Sequence, residues 1–278
     1  MDNISYNEIM IALCLSMLIY NYHENEYFII EEGHNLADFY QYIDFHFDIY
    51  QRESLNFLYN RCPDGEIIKF IDDTCTDIQC AIVKSKEKKK LYIVFRGTDS
   101  LVDCLHDSMC CQTILDLNDD NIDVGIHTGF YKQFEVIFPQ IIEIIEEYIN
   151  LDYDIYFTGH SLAHSLSVIC SYFIADLTTK NIKIITFGGP KIGNNDWIKA
   201  YEGKKNLLLF RVTNDYYIVP NMPFLNYYHV GKNIHLTHDN IAINGFSNFS
   251  FCVKDHSITN YYDNLFGKEK IFNSLLSL

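Results

Sequence analysis

Apolar residues along this chain fall into two recurring patterns. Segment 128–150 repeats them at helical spacing, and a further helix is predicted over Ser165–Leu177. Buried strands that alternate with helices are typical of α/β proteins, in which helices cover both faces of a mostly parallel sheet. We therefore predict an α/β fold. Short continuous apolar runs predict its strands at Cys80–Lys84, Leu91–Arg96, Asp154–Thr158, Ile182–Phe187 and Leu207–Val212.

The N-terminal part, residues 1–70, is predicted to be helical and irregular. Its apolar run Ile9–Tyr20 is too short to span a bilayer, and acidic rather than basic residues precede it, which disfavours a signal peptide. Ser5 as N-cap and Glu8 as its capping-box partner predict a buried helix here instead. No linker or repeat divides the chain, so we expect a single domain over residues 1–278.

Composition narrows the set of partners. The formal net charge is −16, and so acidic a surface repels nucleic acid, which makes nucleic acid an improbable partner. Neutral lipids and small esters stay compatible with this charge. The nine cysteines are odd in number, and Cys110 and Cys111 are adjacent, which predicts reduced thiols. Together with the missing signal pattern, this favours a cytoplasmic, intracellular location.

One basic cluster, KSKEKKK at residues 84–90, interrupts the acidic chain. It separates two predicted strands, so a solvated hairpin tip is the simplest interpretation. A patch that docks on lipid headgroups is the alternative.

The segment DIYFTGHSLAHSL, residues 154–166, carries the main chemical signal. An apolar strand ends at Gly159, Ser161 follows on the turn, and a helix begins at once, as in a nucleophile elbow. Small residues are needed two positions before and after the nucleophile, and Gly159 and Ala163 meet that need. The backbone N–H of Leu162 would face a developing oxyanion from the helix N-terminus. The alternative is a structural turn in which serine caps the helix.

Several motifs, in order, resemble those of the class 3 lipases, the fungal-lipase-like branch of the α/β-hydrolases. The resemblance extends from about residue 75 to residue 266. The motifs are LYIVFRGTDS (91–100), HTGFY (127–131), FTGHSLAHSL (157–166), ITFGGPKIGN (185–194), RVTNDYYIVPNMPF (211–224), YYHVGK (227–232) and DHSITNYY (255–262).

The resemblance implies an α/β-hydrolase fold and a role for each matching residue. Ser161 would attack an ester carbonyl, and His256 would take its proton. Thr98 and the N–H of Leu162 would hold the oxyanion. Residues 100–108 would form a lid helix that moves at a lipid surface, with Leu101, Val102 and Leu105 as its apolar face. No cofactor is implied.

The catalytic acid departs from the family pattern. The family places Asp three residues before the proline, where this chain has Tyr217 before Pro220. Asp215 is the nearest acid, two residues earlier, which displaces a side chain along a strand by roughly 6–7 Å. A bulge or shifted loop would let Asp215 reach His256; otherwise Asp215 points to solvent.

Other histidines allow further interpretations. His164, three positions after Ser161, is either packed beside the elbow or exposed in the pocket. His229, His235 and His238 lie close together in sequence but match no helical metal-ligand spacing, so metal binding is the weaker interpretation.

These observations predict a serine esterase or lipase with the catalytic residues Ser161, His256 and Asp215. It would hydrolyse acylglycerols, phospholipids or small esters, with transient contact to a membrane or lipid-droplet surface. A catalytically impaired hydrolase scaffold that binds lipid or a protein partner is the alternative, since a fold does not guarantee activity. A metal-dependent hydrolase that uses the histidine cluster is a third hypothesis.

Overall fold

The computed structural model of the chain describes residues 4–21, 32–42, 47–97, 111–116, 123–215, 219–223, 225–237, 240–243 and 257–276. Its strands are β1 (Gly65–Asp73), β2 (Ile78–Ser85), β3 (Lys90–Phe95), β4 (Gln112–Leu115), β5 (Val124–His127), β6 (Asp154–His160), β7 (Ile182–Phe187), β8 (Leu207–Asn214), β9 (Lys232–Leu236) and β10 (Ile241–Ile243). Its α-helices are α1 (Tyr6–Leu18), α2 (Ile49–Arg61), α3 (Thr128–Asn150), α4 (Ala163–Ile174), α5 (Asn195–Gly203), α6 (Ile258–Leu265) and α7 (Glu269–Leu276). Short 3₁₀ turns occupy Ile19–Asn21, Leu36–Tyr42, Ala175–Leu177 and Val219–Asn221.

Within the described residues, the central sheet has eight strands in the order β1-β2-β3-β6-β7-β8-β9-β10. Four neighbouring pairs are parallel: β3–β6, β6–β7, β7–β8 and β8–β9. The pairs β1–β2, β2–β3 and β9–β10 are antiparallel. Strands β4 and β5 form a separate antiparallel pair. The carboxyl ends of the parallel strands therefore meet at one edge of the sheet, which is where ligands bind in open α/β folds.

Alternate residues of the central strands enter two apolar clusters, one on each face of the sheet. In β6, Ile155 and Phe157 belong to the cluster covered by α3, α4 and α5, and Tyr156 belongs to the cluster covered by α1, α2, α6 and α7. Helices on both faces of a mostly parallel sheet confirm the predicted α/β-hydrolase architecture.

Helix α1 begins as predicted. The Ser5 side chain accepts from the Glu8 backbone N–H at 3.2 Å, and the Glu8 carboxylate accepts from the Ser5 N–H at 2.8 Å, so the capping box is complete. Apolar residues on all sides of α1 are buried, which explains why its sequence shows no polar face.

The sequence prediction missed strands at both edges of the sheet. The N-terminal part was expected to be helical and irregular, but β1 begins at Gly65 and pairs with β2. Edge strand β1 buries only Gly65, Ile67 and Ile71, so its apolar signal is weak. At the other side of the sheet, β9 spans five residues and edge strand β10 only three, too few to give a clear apolar pattern.

The basic cluster at residues 84–90 is the predicted hairpin tip, since Ser85 pairs with Lys90 across the β2–β3 turn. Its lysines bond to their own chain: Lys84 to Glu66 at 3.0 Å, and Lys90 to Glu8 at 3.5 Å. Lys90 pairs with the first residue of β6, so the tip lies at the amino edge of the sheet. A membrane docked on this tip would face the edge opposite to Ser161.

Among the described helices, none is long and apolar enough to cross a membrane.

Candidate active site

Ser161 lies in a strained turn at the carboxyl edge of the sheet. Strand β6 ends at His160, α4 begins at Ala163, and Ser161 between them has φ +63°. A left-handed backbone is unfavourable for a residue with a Cβ, so surrounding contacts must hold it. One such contact is the Ser161 N–H, which donates to the Phe187 carbonyl of β7 at 2.9 Å. The sharp strand–turn–helix geometry is that of a nucleophile elbow.

Close packing at the elbow accounts for the small residues around Ser161. A Cβ added at Gly159 would overlap the Ala163 Cβ and lie 3.1 Å from the Phe95 carbonyl oxygen. Gly159 therefore has no room for a side chain, whereas the Ala163 methyl is fully buried and fills the space that Gly159 leaves.

The end of β3 approaches the same turn. A Cβ added at Gly97 would overlap the Tyr20 hydroxyl and the His160 carbonyl oxygen, and would lie 3.2 Å from the Ser161 Cβ. Thr98, the predicted side-chain oxyanion donor, follows Gly97 directly but lies outside the described residues. Gly97 thus brings the chain into contact with the turn that carries Ser161.

Leu162 is the N-cap of α4 and already has helical dihedrals, φ −52° and ψ −37°. The first N–H groups of a helix have no partner within the helix, and the helix dipole favours negative charge beside them. The Leu162 N–H is therefore suited to hold an oxyanion formed at Ser161.

Tyr20, at the end of the N-terminal helical segment, contacts the elbow. Its hydroxyl lies 2.8 Å from His160 Nδ1, and the two rings pack edge to face at 5.8 Å. The guanidinium of Arg96 lies 5.7 Å from the centre of the Tyr20 ring. Sequence reasoning missed Tyr20, because it appeared only as the last residue of an apolar run.

Helix α6 packs over the same edge of the sheet. The Tyr261 ring contacts His160 at 5.8 Å and Phe187 at 5.9 Å, and the Asn264 side chain donates to Asn214 Oδ1 at 3.2 Å. His256, the predicted base, precedes this helix closely in sequence but lies outside the described residues.

Asp215, the predicted acid, follows β8 at the carboxyl edge. Its Oδ1 lies 2.6 Å from His235 Nε2 on β9, with 23% of the Asp215 side chain exposed. His235 Nδ1 lies 3.2 Å from Thr213 Oγ1, which donates its own proton to Asn233 Oδ1 at 3.0 Å. Thr213, His235 and Asp215 thus form a hydrogen-bonded chain that joins the ends of β8 and β9 at the carboxyl edge of the sheet.

The bond to His235 leaves one carboxylate oxygen of Asp215 for a second partner. Tyr217, at the position where the family has Asp, lies outside the described residues.

His164 is packed beneath the elbow rather than exposed in a pocket. Its Nδ1 lies 2.8 Å from Thr186 Oγ1. Burial, with a smaller contribution from the Arg211 charge, lowers the pKa of His164 to about 3, so the ring is neutral. Of the two interpretations from the sequence, the histidine packed beside the elbow describes its placement.

The histidines of the proposed metal cluster face different partners. His229 Nε2 bonds to the Pro220 carbonyl, whereas His235 bonds to Asp215. His238 lies outside the described residues. Within the described ranges, no group of three or more His, Cys, Asp or Glu residues is arranged to hold a metal ion.

Comparisons with known proteins agree with this geometry. The family model "Lipase (class 3)" matches residues 92–227, which include most of β3, the elbow and β8. A lipase of Rhizopus niveus is 28% identical over 170 residues, covering 58% of this chain and 42% of that lipase. A phospholipase A1-II 5 of Oryza sativa subsp. indica is 29% identical over 114 residues, covering 37% of this chain and 24% of its own.

A solved structure gives a likeness of fold over most of the chain. It is described as a triacylglycerol lipase whose catalytic centre is a serine protease triad, with TM-score 0.66, 19% identity and 91% of both chains covered. The match to the curated Rhizopus relative spans less than half of that protein's length.

Proposed function

Because this chain belongs to the class 3 lipase family, we propose that it is a carboxylic ester hydrolase that cleaves lipid esters through an acyl-enzyme on Ser161. The observation that carries the proposal is the strained turn at Ser161, with φ +63°, between β6 and α4. Strain of this kind persists where surrounding contacts hold it, and it projects a serine hydroxyl above the sheet.

The proposed reaction has two steps. Ser161 Oγ attacks the ester carbonyl while His256 takes the hydroxyl proton, and the resulting oxyanion accepts from the Leu162 N–H and from Thr98. Collapse of this intermediate expels the alcohol, which receives the proton from His256. Water then attacks the acyl-enzyme by the same route and releases the carboxylic acid.

Asp215 is the proposed acid. It lies at the carboxyl edge of the sheet, and its Oδ1 is held by His235. In this proposal Oδ2 accepts from His256, since one carboxylate can accept from two donors. His235 would then fix the carboxylate that orients the catalytic histidine.

The proposed substrates are acylglycerols or phospholipids. The relatives named above include a lipase and a phospholipase, which supports both of these substrate classes. Contact with a membrane or lipid-droplet surface would be transient. An intracellular setting is part of the proposal; the described cysteines, at positions 14, 62, 75, 80, 111 and 170, are free thiols.

One observation favours a second candidate, a catalytically impaired scaffold that binds lipid. Asp215 Oδ1 is already bonded to His235 at 2.6 Å, so this oxygen is not available to orient a second histidine.

Covalent labelling of Ser161 by a fluorophosphonate, together with hydrolysis of a short p-nitrophenyl ester, tests the proposal. The wild type should react with both, and Ser161→Ala should lose both. Ser165→Ala is the matched control, because it removes another buried serine hydroxyl one turn further along α4 and should leave both rates unchanged.

Asp215→Asn tests the acid in the same assays. The ester hydrolysis rate should fall by at least about a hundredfold, because a mispaired histidine loses its orientation and charge partner. An unchanged rate in Asp215→Asn would assign the acid elsewhere and keep the hydrolase. A wild type that neither hydrolyses the ester nor takes the label would favour the scaffold.

A further inference from the structure

We infer that Tyr20 is a positioning residue for the oxyanion hole, and that its hydroxyl ties the strand before Thr98 to the turn that carries Ser161. The inference rests on the proposed function, because it concerns the efficiency of the same site. Tyr20 lies outside the segment 92–227 that matches the family model, so the match does not assign it a role.

The contacts of the Tyr20 hydroxyl place it between the two halves of the site. On one side it lies 2.8 Å from His160 Nδ1, in the residue directly before Ser161. On the other side it occupies the space that a Cβ of Gly97 would need, directly before Thr98. A single oxygen atom therefore contacts both the elbow and the end of β3.

The ring of Tyr20 is held from two directions. Arg96 lies over one face at 5.7 Å, and His160 packs against the ring at 5.8 Å. Since both contacting residues adjoin the site, a displacement of the tyrosine would be transmitted to the Ser161 turn and to Gly97.

The helix behind Tyr20 is fixed along β6, so the hydroxyl has a rigid support. Ser16 Oγ lies 2.9 Å from Thr158 Oγ1, one turn before Tyr20. Glu8 accepts from the Tyr156 hydroxyl at 2.6 Å, two turns before that. Residues 8, 16 and 20 thus contact alternate residues of β6, and Tyr20 is the contact nearest to the nucleophile.

A defined distance between the oxyanion donors and the nucleophile is what a hydrolase needs for charge stabilisation. The proposed donors are Thr98, which follows Gly97 in sequence, and the Leu162 N–H, which follows the Ser161 turn. The Tyr20 hydroxyl joins the two segments, because it makes a polar contact with His160 and packs closely against Gly97.

Tyr20→Phe tests this role, because it removes the hydroxyl and keeps the ring. We expect kcat for p-nitrophenyl ester hydrolysis and the rate of fluorophosphonate labelling to fall by about tenfold, the effect of one hydrogen bond of ordinary strength. KM should change by less than about twofold, because the ground-state substrate makes no contact that depends on this hydroxyl.

Ser16→Ala is the matched control. It removes another hydroxyl contact between the N-terminal helical segment and β6, and Thr158 Oγ1 keeps its bond to the Ala12 carbonyl at 3.2 Å. Thermal unfolding of both variants measures any general loss of helix docking. We expect kcat of Ser16→Ala to match the wild type even where its melting temperature falls as far as that of Tyr20→Phe.

A second variant separates positioning from stability. In a His160→Phe background, which keeps an aromatic ring but has no Nδ1, the hydrogen bond is already absent, so Tyr20→Phe should cost less than about twofold in kcat. Three results would overturn the inference: wild-type kcat in Tyr20→Phe, an equal loss of kcat in Ser16→Ala, or an undiminished tenfold effect in the His160→Phe background. Failure of the wild type to take the label would instead overturn the proposed function.

Discussion

At the scale of single residues, the site depends on where side chains are missing. Gly159 has no space for a Cβ because the Ala163 methyl occupies it, and Gly97 has none because the Tyr20 hydroxyl does. The usual second glycine of an elbow is Ala163 here, and the structure accommodates its methyl because Gly159 opposite has no side chain.

Gly159→Ala should destabilise the fold by about 1–3 kcal/mol, because it forces a second methyl into filled space. Urea unfolding of the wild type and the variant measures this change. The double variant Gly159→Ala with Ala163→Gly moves the methyl to the other side of the contact and should recover part of the loss. If the double variant is no more stable than Gly159→Ala, the clash with Ala163 is not the cause.

The polar residues of the site differ in how far the sequence predicted them. Ser161 could be predicted from its flanking strand and helix, and the structure places it in the expected turn. His235 could not, because it bonds to Asp215 across neighbouring strands and nothing in the local sequence couples positions twenty residues apart.

At the scale of elements, α1 is joined to the sheet by charge as well as by apolar packing. The Glu8 carboxylate accepts from Lys183 at 2.7 Å and from the Tyr156 hydroxyl at 2.6 Å. Two lysine ammonium groups also lie near the Tyr156 ring centre, that of Lys90 at 4.7 Å and that of Lys183 at 5.7 Å. Glu8 is 12% exposed, so this cluster is poorly screened. The helix that carries Tyr20 is therefore anchored at its far end by an ionic network.

The protonation of Glu8 should make helix docking depend on pH. Burial raises the pKa of Glu8, but hydrogen bonds from Lys183, Tyr156 and the Ser5 backbone outweigh burial and lower the pKa to about 2. Burial lowers the pKa of Lys90, the second lysine near Glu8, so its charged form is less favoured. We therefore assign most of the stabilisation of the Glu8 carboxylate to Lys183.

Because the folded state binds the Glu8 proton less tightly than the unfolded state, this stabilisation is complete above the unfolded pKa of about 4.5 and is lost as the pH falls toward 2. Glu8→Gln should therefore lower the free energy of unfolding by about 3 kcal/mol at pH 7, and by progressively less below pH 4.5. Urea unfolding across this range measures the difference between wild type and variant.

Glu146→Gln is the control for Glu8→Gln, since Glu146 is exposed on α3. Its effect should be small and nearly independent of pH. A Glu8→Gln deficit that stays constant from pH 7 to pH 3 would contradict the ionic account and leave only packing.

At the scale of the whole molecule, charge and orientation decide which surfaces the protein can approach. The formal net charge is −16, and the basic hairpin tip lies at the sheet edge opposite to Ser161. Its lysines Lys84 and Lys90 are paired with carboxylates of the same chain. The basic tip therefore lies away from the carboxyl edge, where the proposed reaction would take place.

We expect hydrolysis of an ester embedded in anionic phosphatidylglycerol vesicles to be several-fold slower, on the order of 3–10 times, than in neutral phosphatidylcholine vesicles at low salt. The difference should shrink near 1 M salt, where the screening length falls to about 3 Å. A freely soluble p-nitrophenyl ester is the control, because its rate should show no such dependence. Faster hydrolysis on the anionic vesicles would indicate a basic docking surface that this account lacks.

The sequence by itself determined the parallel core of the sheet, the capping box of α1 and the elbow at Ser161. Each of these is encoded within a short segment, by apolar runs, by a cap with its partner three residues on, or by small residues at fixed spacing. It also carried the resemblance to the class 3 lipases, because separate short motifs follow one another in a defined order.

Only the tertiary structure decided the contacts between distant segments. The pairing of Tyr20 with His160, of Asp215 with His235, and of Glu8 with Lys183 each joins residues on different elements. Edge strand β1 belongs with them, since its position depends on pairing with β2 rather than on its own apolar content. Local sequence patterns describe one element at a time, whereas these contacts depend on how elements pack, and packing is fixed only when the whole chain has folded.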